Sequence, residues 1–291
     1  MKLPSDIRIG VIGGSGIYEM EGVSRIKALS ISTPFGNPSD AFMVGSLKGI
    51  KVAFLPRHGC GHHLLPSEVN YRANIFGFKT LGVTHLIAIT AVGSLQEQIR
   101  PLDIVIPDQL VDRTYQREST FFGNGIAAHV PFAQPFCPVL SARLFTSASS
   151  SAIKVHNGGT LVSIEGPAFS TQAESKLYQK WGMDIIGMTT LQEAKLAREA
   201  EICYAAMAMV TDYDGWKQES EAVSVKTVVF NQKKNAACAK KIILRLVPEI
   251  AGDRHCLCAD SLNGSIMTRM DCINQDTRQR LFPLIEKYLM K

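Results

Sequence analysis

The sequence of 291 residues is 46% hydrophobic and 20% charged, with 23 Gly, 13 Pro and a net charge of +5. A chain this long can bury about three quarters of its unfolded surface in one core, and its composition is that of an ordinary soluble globular protein, which excludes a disordered or fibrous one. The charge is mild and scattered apart from small clusters such as Lys233–Lys234 and Lys240–Lys241, so nucleic acid is not an expected partner.

The amino terminus carries Asp6 and Arg8 where a signal peptide has its apolar core, and no later run reaches the length of a membrane span. A cytoplasmic protein without membrane contacts is expected. The seven cysteines, at 60, 137, 203, 238, 256, 258 and 272, are odd in number and mostly unpaired in spacing, which reads as reduced thiols. Cys256 and Cys258 form a C-x-C that could close a strained disulfide, and with no second pair at ligand spacing no metal is expected.

In chain order, Ile7–Gly13 reads as a buried strand, and Gly13-Gly14-Ser15-Gly16 follows it directly. Consecutive N–H groups and the Ser15 hydroxyl can turn toward an anion there, although a tight turn would leave the same trace. Neither common nucleotide motif fits: position 19 is Glu, and no G-K-[ST] is present. The strand Val52–Pro56 ends on Arg57 and His58, a forked permanent donor beside a pH-dependent one, suited to phosphate. A metal held by His58, His62 and His63 would lack carboxylate partners.

Pro66-Ser67-Glu68 is expected to open a helix that runs to Gly82. Leu86–Ala91 is a strand ending in Thr90-Ala91-Val92-Gly93-Ser94, and Ile104–Pro107 and Thr160–Ile164 are further strands. Thr171-Gln-Ala-Glu174 and Thr190-Leu-Gln-Glu193 match capping boxes, the first helix stopping at Gly182. Between them the strand Ile185–Met188 delivers Thr189 to a helix start, a natural anion site. Ala205–Val210 is a last strand, Ala222–Val247 a long amphipathic helix, and Leu281–Met290 a closing one. Strands alternating with helices predict an α/β fold, one domain over 1–291, with a mixed central sheet flanked by helices.

Ligands of open α/β sheets gather at strand carboxyl ends. One phosphate would satisfy Ser15, Arg57, His58, Thr90 and Thr189 if they face a common crevice. Asp212 and Asp214 also end a strand, and alternation puts them on one face with Tyr213 pointing away. Two adjacent carboxylates shielded by Trp216 resist double ionisation, so one can hold a proton near neutral pH.

Eight segments in order, GVIGGSGIY (10–18), TPFGNPSD (33–40), RHG-x-x-H (57–62), LPSEVNYRAN (65–74), TAVGSL (90–95), IEGPAFSTQAES (164–175), GMTT with EAKLAREAEICYA (187–205) and TDYDGW (211–216), resemble the trimeric purine nucleoside phosphorylase superfamily. The resemblance is to its branch acting on 5′-methylthioadenosine. It implies a homotrimer that uses inorganic phosphate as co-substrate and no metal or organic cofactor. It also implies that Ser15, Arg57, His58, Thr90, Ala91 and Thr189 bind phosphate and that Met188 packs under the ribose. Phe169 would shape the base pocket together with Asp212, Tyr213 and Asp214. Ser170, Val225 and Val228 would set specificity near the 5′-thioether, and His129 would reach a neighbouring subunit's site. Cys137, Cys203 and the C-x-C at 256–258 are similar in position to cysteines of disulfide-bearing thermophilic members.

The implied chemistry is attack of phosphate on C1′ of the ribose while a protonated Asp212 assists departure of the purine and Asp214 holds its amino group, with the proton's owner left open between the two. A carboxylate suits a 6-aminopurine and mismatches a 6-oxopurine, so adenine is favoured. The competing readings are a methylthioinosine or general purine nucleoside phosphorylase and a non-catalytic nucleoside-binding protein.

Overall fold

A computed structural model of the chain describes residues 7–14, 19, 22–217, 225–252 and 254–289. Among them are the strands β1 (Ile9–Gly13), β2 (Val23–Leu29), β3 (Phe42–Leu47), β4 (Ile50–Pro56), β5 (His85–Ser94), β6 (Ile104–Ile106), β7 (Gln109–Arg113), β8 (Val155–Asn157), β9 (Thr160–Ile164), β10 (Ile185–Gly187) and β11 (Cys203–Tyr213). The helices are α1 (Tyr71–Thr80), α2 (Pro138–Ser149), α3 (Gln172–Lys180), α4 (Thr190–Glu199), α5 (Val225–Glu249) and α6 (Gln275–Leu289).

All the strands join one mixed sheet, as expected for the α/β class. β5 is its hub. One edge of β5 pairs in parallel with β11 along its whole length, from His85 opposite Cys203 to Ser94 opposite Tyr213. The other edge is shared: β1 pairs in parallel from His85 to Ala88, and β10 pairs antiparallel only at Gly93 and Ser94. No strand covers Ile89–Val92 on that edge among the described residues, and the opening between β1 and β10 is where the site forms.

Period-two alternation divides the apolar side chains of the central strands between two faces. Leu86, Ala88, Tyr204 and Ala206 join the core that includes α1, α4 and α6, while Ile87, Ile89, Ala205 and Met207 join the one that includes α2 and α5. Each fully buried Leu or Ile contributes on the order of 1.5–3 kcal/mol, which fixes the strand ends against both helical layers.

Several local expectations hold in detail. Thr171 and Glu174 form the reciprocal capping box of α3, and Gly182, at φ +78°, ends it with its N–H on the Gln179 carbonyl. Three are corrected. Residues 66–68 form a turn, and the first helix starts at Tyr71 because the Asn70 side chain caps Ala73 N–H at 3.1 Å. Thr189, not Thr190, caps α4, and it does so without a side-chain hydrogen bond; Glu193, the partner expected for Thr190, accepts from Arg57 instead. The closing helix begins at Gln275, six residues earlier than its apolar part.

Candidate active site

The gap beside β5 opens into a cavity whose empty space, open mouth included, is about 890 Å³. Arg57, His58, Thr90, Ala91, Phe169, Ser170, Met188, Thr189, Asp212, Asp214 and Val228 all line it. These side chains come from the ends of β4, β5, β10 and β11, from the loop between β9 and α3, and from α5. Because β10 runs antiparallel to β5, with Ile186 opposite Gly93, its exit carries Met188 and Thr189 back alongside Ala91 and Thr90.

One end is built for an anion. Arg57 is buried, and its Nη1 donates to the Ile89 carbonyl at 3.0 Å, an oxygen that the gap leaves without a strand partner. Its Nε and Nη2 donate to the two oxygens of Glu193 on α4, which also accepts from Tyr204 at 2.9 Å. Burial alone would lower the guanidinium's pKa, but the Glu193 charge outweighs it and holds the group above its ordinary value. Three of five N–H groups are thus used, leaving two.

His58 donates through Nδ1 to the Leu64 carbonyl at 2.9 Å and stacks on His62 with centroids 4.2 Å apart. Burial, then the Arg57 charge, pushes its pKa down to about 4. The ring is therefore neutral near pH 7 and its Nε2 is an acceptor, so the pH-dependent donor expected from sequence becomes one only if a bound anion brings a proton to it. Thr189, whose hydroxyl is unused as a cap, lines the same region. Gly14 lines it too, while Ser15 lies outside the described residues.

The other end is acidic. β11 carries a bulge at Thr211, since Val210 lies opposite Val92 and Asp212 opposite Gly93. The extra residue re-aims the aspartates, and the carbonyls it displaces are recovered by α5: Asn231 donates to Thr211 O at 2.7 Å and Asn235 to Val210 O at 3.0 Å. Asp212 is 6% exposed and accepts from the Thr211 hydroxyl at 2.6 Å. Burial is the largest cause raising its pKa to about 6, and the Asp214 charge adds to it against the Thr211 hydrogen bond. Asp214 is raised too, mainly by burial, and accepts from Ser175.

Gly93 stands between the carboxylates: a Cβ there would lie 3.2 Å from Asp212 Oδ2 and 3.4 Å from Asp214 Cβ. A flat ligand can approach there because no side chain does. Tyr213 is corrected as a cavity residue. Alternation turns it outward, where it packs edge-on against Trp216 and its hydroxyl reaches the Glu97 carbonyl at 3.3 Å.

Met188 is held from below. Gly166, at φ +66°, leaves room that a Cβ would deny, lying 2.5 Å from the Met188 sulfur, and buried Arg117 donates to the Met188 carbonyl and pairs with Glu165 at 3.0 Å. Val225 opens α5, but its side chain lies outside those described; Gln232, one turn beyond Val228, joins the lining. His129 is exposed and absent from the lining, its N–H bonded to Ser265 O at 2.9 Å. The sequence reading missed the roles of Glu193, Arg117, Ser175, Asn231, Asn235 and Gln232: Glu193 reads there as a helix cap, Ser175 ends one of the family-like segments with no role attached, and the other four sit in no motif.

The family model of the phosphorylase superfamily matches residues 8–248. The chain is 53% identical to the S-methyl-5′-thioadenosine phosphorylase of Geobacter sulfurreducens, over 97% of this chain and 99% of that one. It is 50% identical to the protein of the same name from Chloroflexus aurantiacus, over 96% and 98%. Among solved structures it is similar to a methylthioadenosine phosphorylase from an antarctic soil metagenomic library, at TM-score 0.92 and 45% identity over 98% of this chain and 99% of that one. The Schistosoma mansoni methylthioadenosine phosphorylase, solved with adenine, gives TM-score 0.81 and 38% identity over 85% and 93%.

Proposed function

This chain belongs to the phosphorylase superfamily, and we propose that it cleaves S-methyl-5′-thioadenosine with inorganic phosphate, giving adenine and 5-methylthioribose 1-phosphate. The observation that carries the reading is one cavity with an anion-binding end at Arg57, Thr90 and Thr189 and a pair of buried aspartates at the other. Relatives at about half identity along nearly the whole chain bear the enzyme's name.

Phosphate at the first end forms a bond to C1′ as the bond from C1′ to N9 breaks, and the electron pair leaves with the purine. The anion's charge stabilises the oxocarbenium-like transition state. Asp212, raised into the range where a carboxyl is partly protonated near neutral pH, gives its proton to N7, and Asp214 accepts from the exocyclic amino group. Met188 underlies the ribose, and Phe169, Ser170 and Val228 surround the base and the methylthio end. Phosphate supplies the nucleophile and a carboxyl the proton, so the step calls on no cofactor. We further propose a cytoplasmic homotrimer in which His129 reaches the neighbouring subunit's cavity and the products enter methionine and purine salvage.

The deciding assay follows base release from methylthioadenosine, adenosine, methylthioinosine and inosine with and without phosphate. Release only with phosphate and a higher kcat/KM for the 6-amino nucleosides is expected. Equal release in phosphate-free buffer, or preference for a 6-oxo nucleoside, would overturn the assignment.

A further inference from the structure

Far from the cavity, the fold collects four cysteines from three separate stretches of chain. Cys137 is the N-cap of α2, Cys203 is the first residue of β11, and Cys256 and Cys258 flank the start of the 3-10 turn Leu257–Asp260. Their four Sγ atoms all lie within 4.8 Å of one another, and the Cys203 and Cys256 sulfurs are 3.2 Å apart. Cys137, Cys203 and Cys258 are buried and Cys256 is half-buried. All are free thiols.

We propose that Cys137, Cys203, Cys256 and Cys258 form a structural site for one zinc ion. Zinc with Zn–S bonds of about 2.3 Å sets tetrahedral sulfurs about 3.8 Å apart, a separation that the observed spacing brackets. Four thiolates converging on one point leave no open position, which suits a structural ion; their softness selects zinc over magnesium or calcium. A polynuclear iron–sulfur cluster would hold its thiolates further apart than this set stands. The absence of a second cysteine pair at ligand spacing, which argued against a metal in the sequence, is overcome by the fold, which supplies Cys137 and Cys203 from different elements.

The surroundings suit the charge. A zinc tetrathiolate carries two net negative charges, and the adjoining groove is lined by His85, Arg143, Arg254 and His255 against a single carboxylate, Glu249. Cys137 also accepts from Leu140 N–H at 3.5 Å at the positive end of α2.

The ion would tie the segment that follows α5 to the starts of α2 and β11. Cys203 and Asp212 stand near opposite ends of β11, roughly 30 Å apart at the strand rise, so the role is stability and not chemistry.

The full-length protein, isolated from zinc-replete growth without chelator, is expected to contain about one zinc per chain by elemental analysis. Titration with a mercurial should release the zinc as the four cysteine sulfurs are converted to mercaptides, and Cys258→Ser should lose the metal. Refilling the metal-stripped wild type with cobalt(II) should give thiolate-to-metal charge-transfer bands and the strong visible bands of a tetrahedral ion, a readout independent of whether the variant folds. Removing zinc should lower Tm and leave kcat unchanged below the transition. A metal-free protein that takes up no cobalt, or a mass lower by four hydrogens with two disulfides, would overturn the proposal.

Discussion

Replacing Asp212 by Asn should damage catalysis and strengthen the fold at the same time. Asn keeps the shape and can still accept from the Thr211 hydroxyl, 2.6 Å away in the wild type, but it cannot supply a proton. Loss of a general acid is expected to lower kcat ~10²–10⁴-fold, about 3–5 kcal/mol of barrier. The stability side follows from the pKa, raised from 3.8 to about 6 in the folded chain. A group whose folded pKa lies above its unfolded value contributes fully below the unfolded pKa, and that contribution is lost as pH rises through the folded one. For Asp212 the window is about pH 4 to 6, and the loss above it is about 3 kcal/mol. The Asn variant escapes the loss, so its Tm should exceed the wild type's by several degrees at pH 7.5 and match it near pH 4. Steady-state kinetics and calorimetry at both pH values check this. A kcat within threefold of wild type, or a Tm difference that does not change with pH, would refute the reasoning.

The same carboxyl predicts that kcat/KM for methylthioadenosine falls with rising pH above about 6, a limb that a profile of the Asp212→Asn variant should lack. Gly93→Ala places a Cβ 3.0 Å from Ile186 and 3.2 Å from Asp212 Oδ2; the nucleoside KM should rise by about one to two orders of magnitude, the equivalent of 1–3 kcal/mol of overpacking. The phosphate KM, measured in the same experiment, should stay within about threefold. Glu193→Gln should destabilise the ligand-free protein by about 3–5 kcal/mol by stranding Arg57, and phosphate should then raise its Tm more than it raises the wild type's.

Much of the sheet was legible because its central strands are buried on both faces and read as continuous apolar runs, as in Ile9–Gly13 and Thr160–Ile164. β2 was not: VSRIKAL is largely exposed and carries two cations, so nothing in its pattern separates an edge strand from a loop. β7 (QLVDR) is largely polar and not buried, β8 has only three residues, and α2 is capped by Cys137, whose capping role in the fold is not a usual sequence signal. The antiparallel turn of β10 was invisible too, because a three-residue strand of IIG reads the same in either direction. That orientation decides the site, since it brings Thr189 beside Thr90.

The residues that touch the ligand space were legible because Arg57, Thr90, Thr189, Asp212 and Asp214 each follow an apolar run. Their partners were not, because Glu193 reads as a cap and Arg117 as a surface arginine until the fold buries both. The hidden partner changes the physics of the anion end. The Arg57–Glu193 pair sums to zero charge within a site where Arg57 is 3% exposed. Phosphate is therefore met by oriented N–H and O–H groups more than by net charge, and Glu193 both aims the guanidinium and weakens its pull. Gln at 193 keeps one acceptor for the aim and removes the opposing charge, leaving phosphate as the counter-ion that Arg57 lacks. If Glu193 acted only by aiming Arg57, the variant would bind phosphate less well and its phosphate-induced rise in Tm would shrink. A larger rise is the outcome the charge balance requires, and thermal shifts over a phosphate titration distinguish the two.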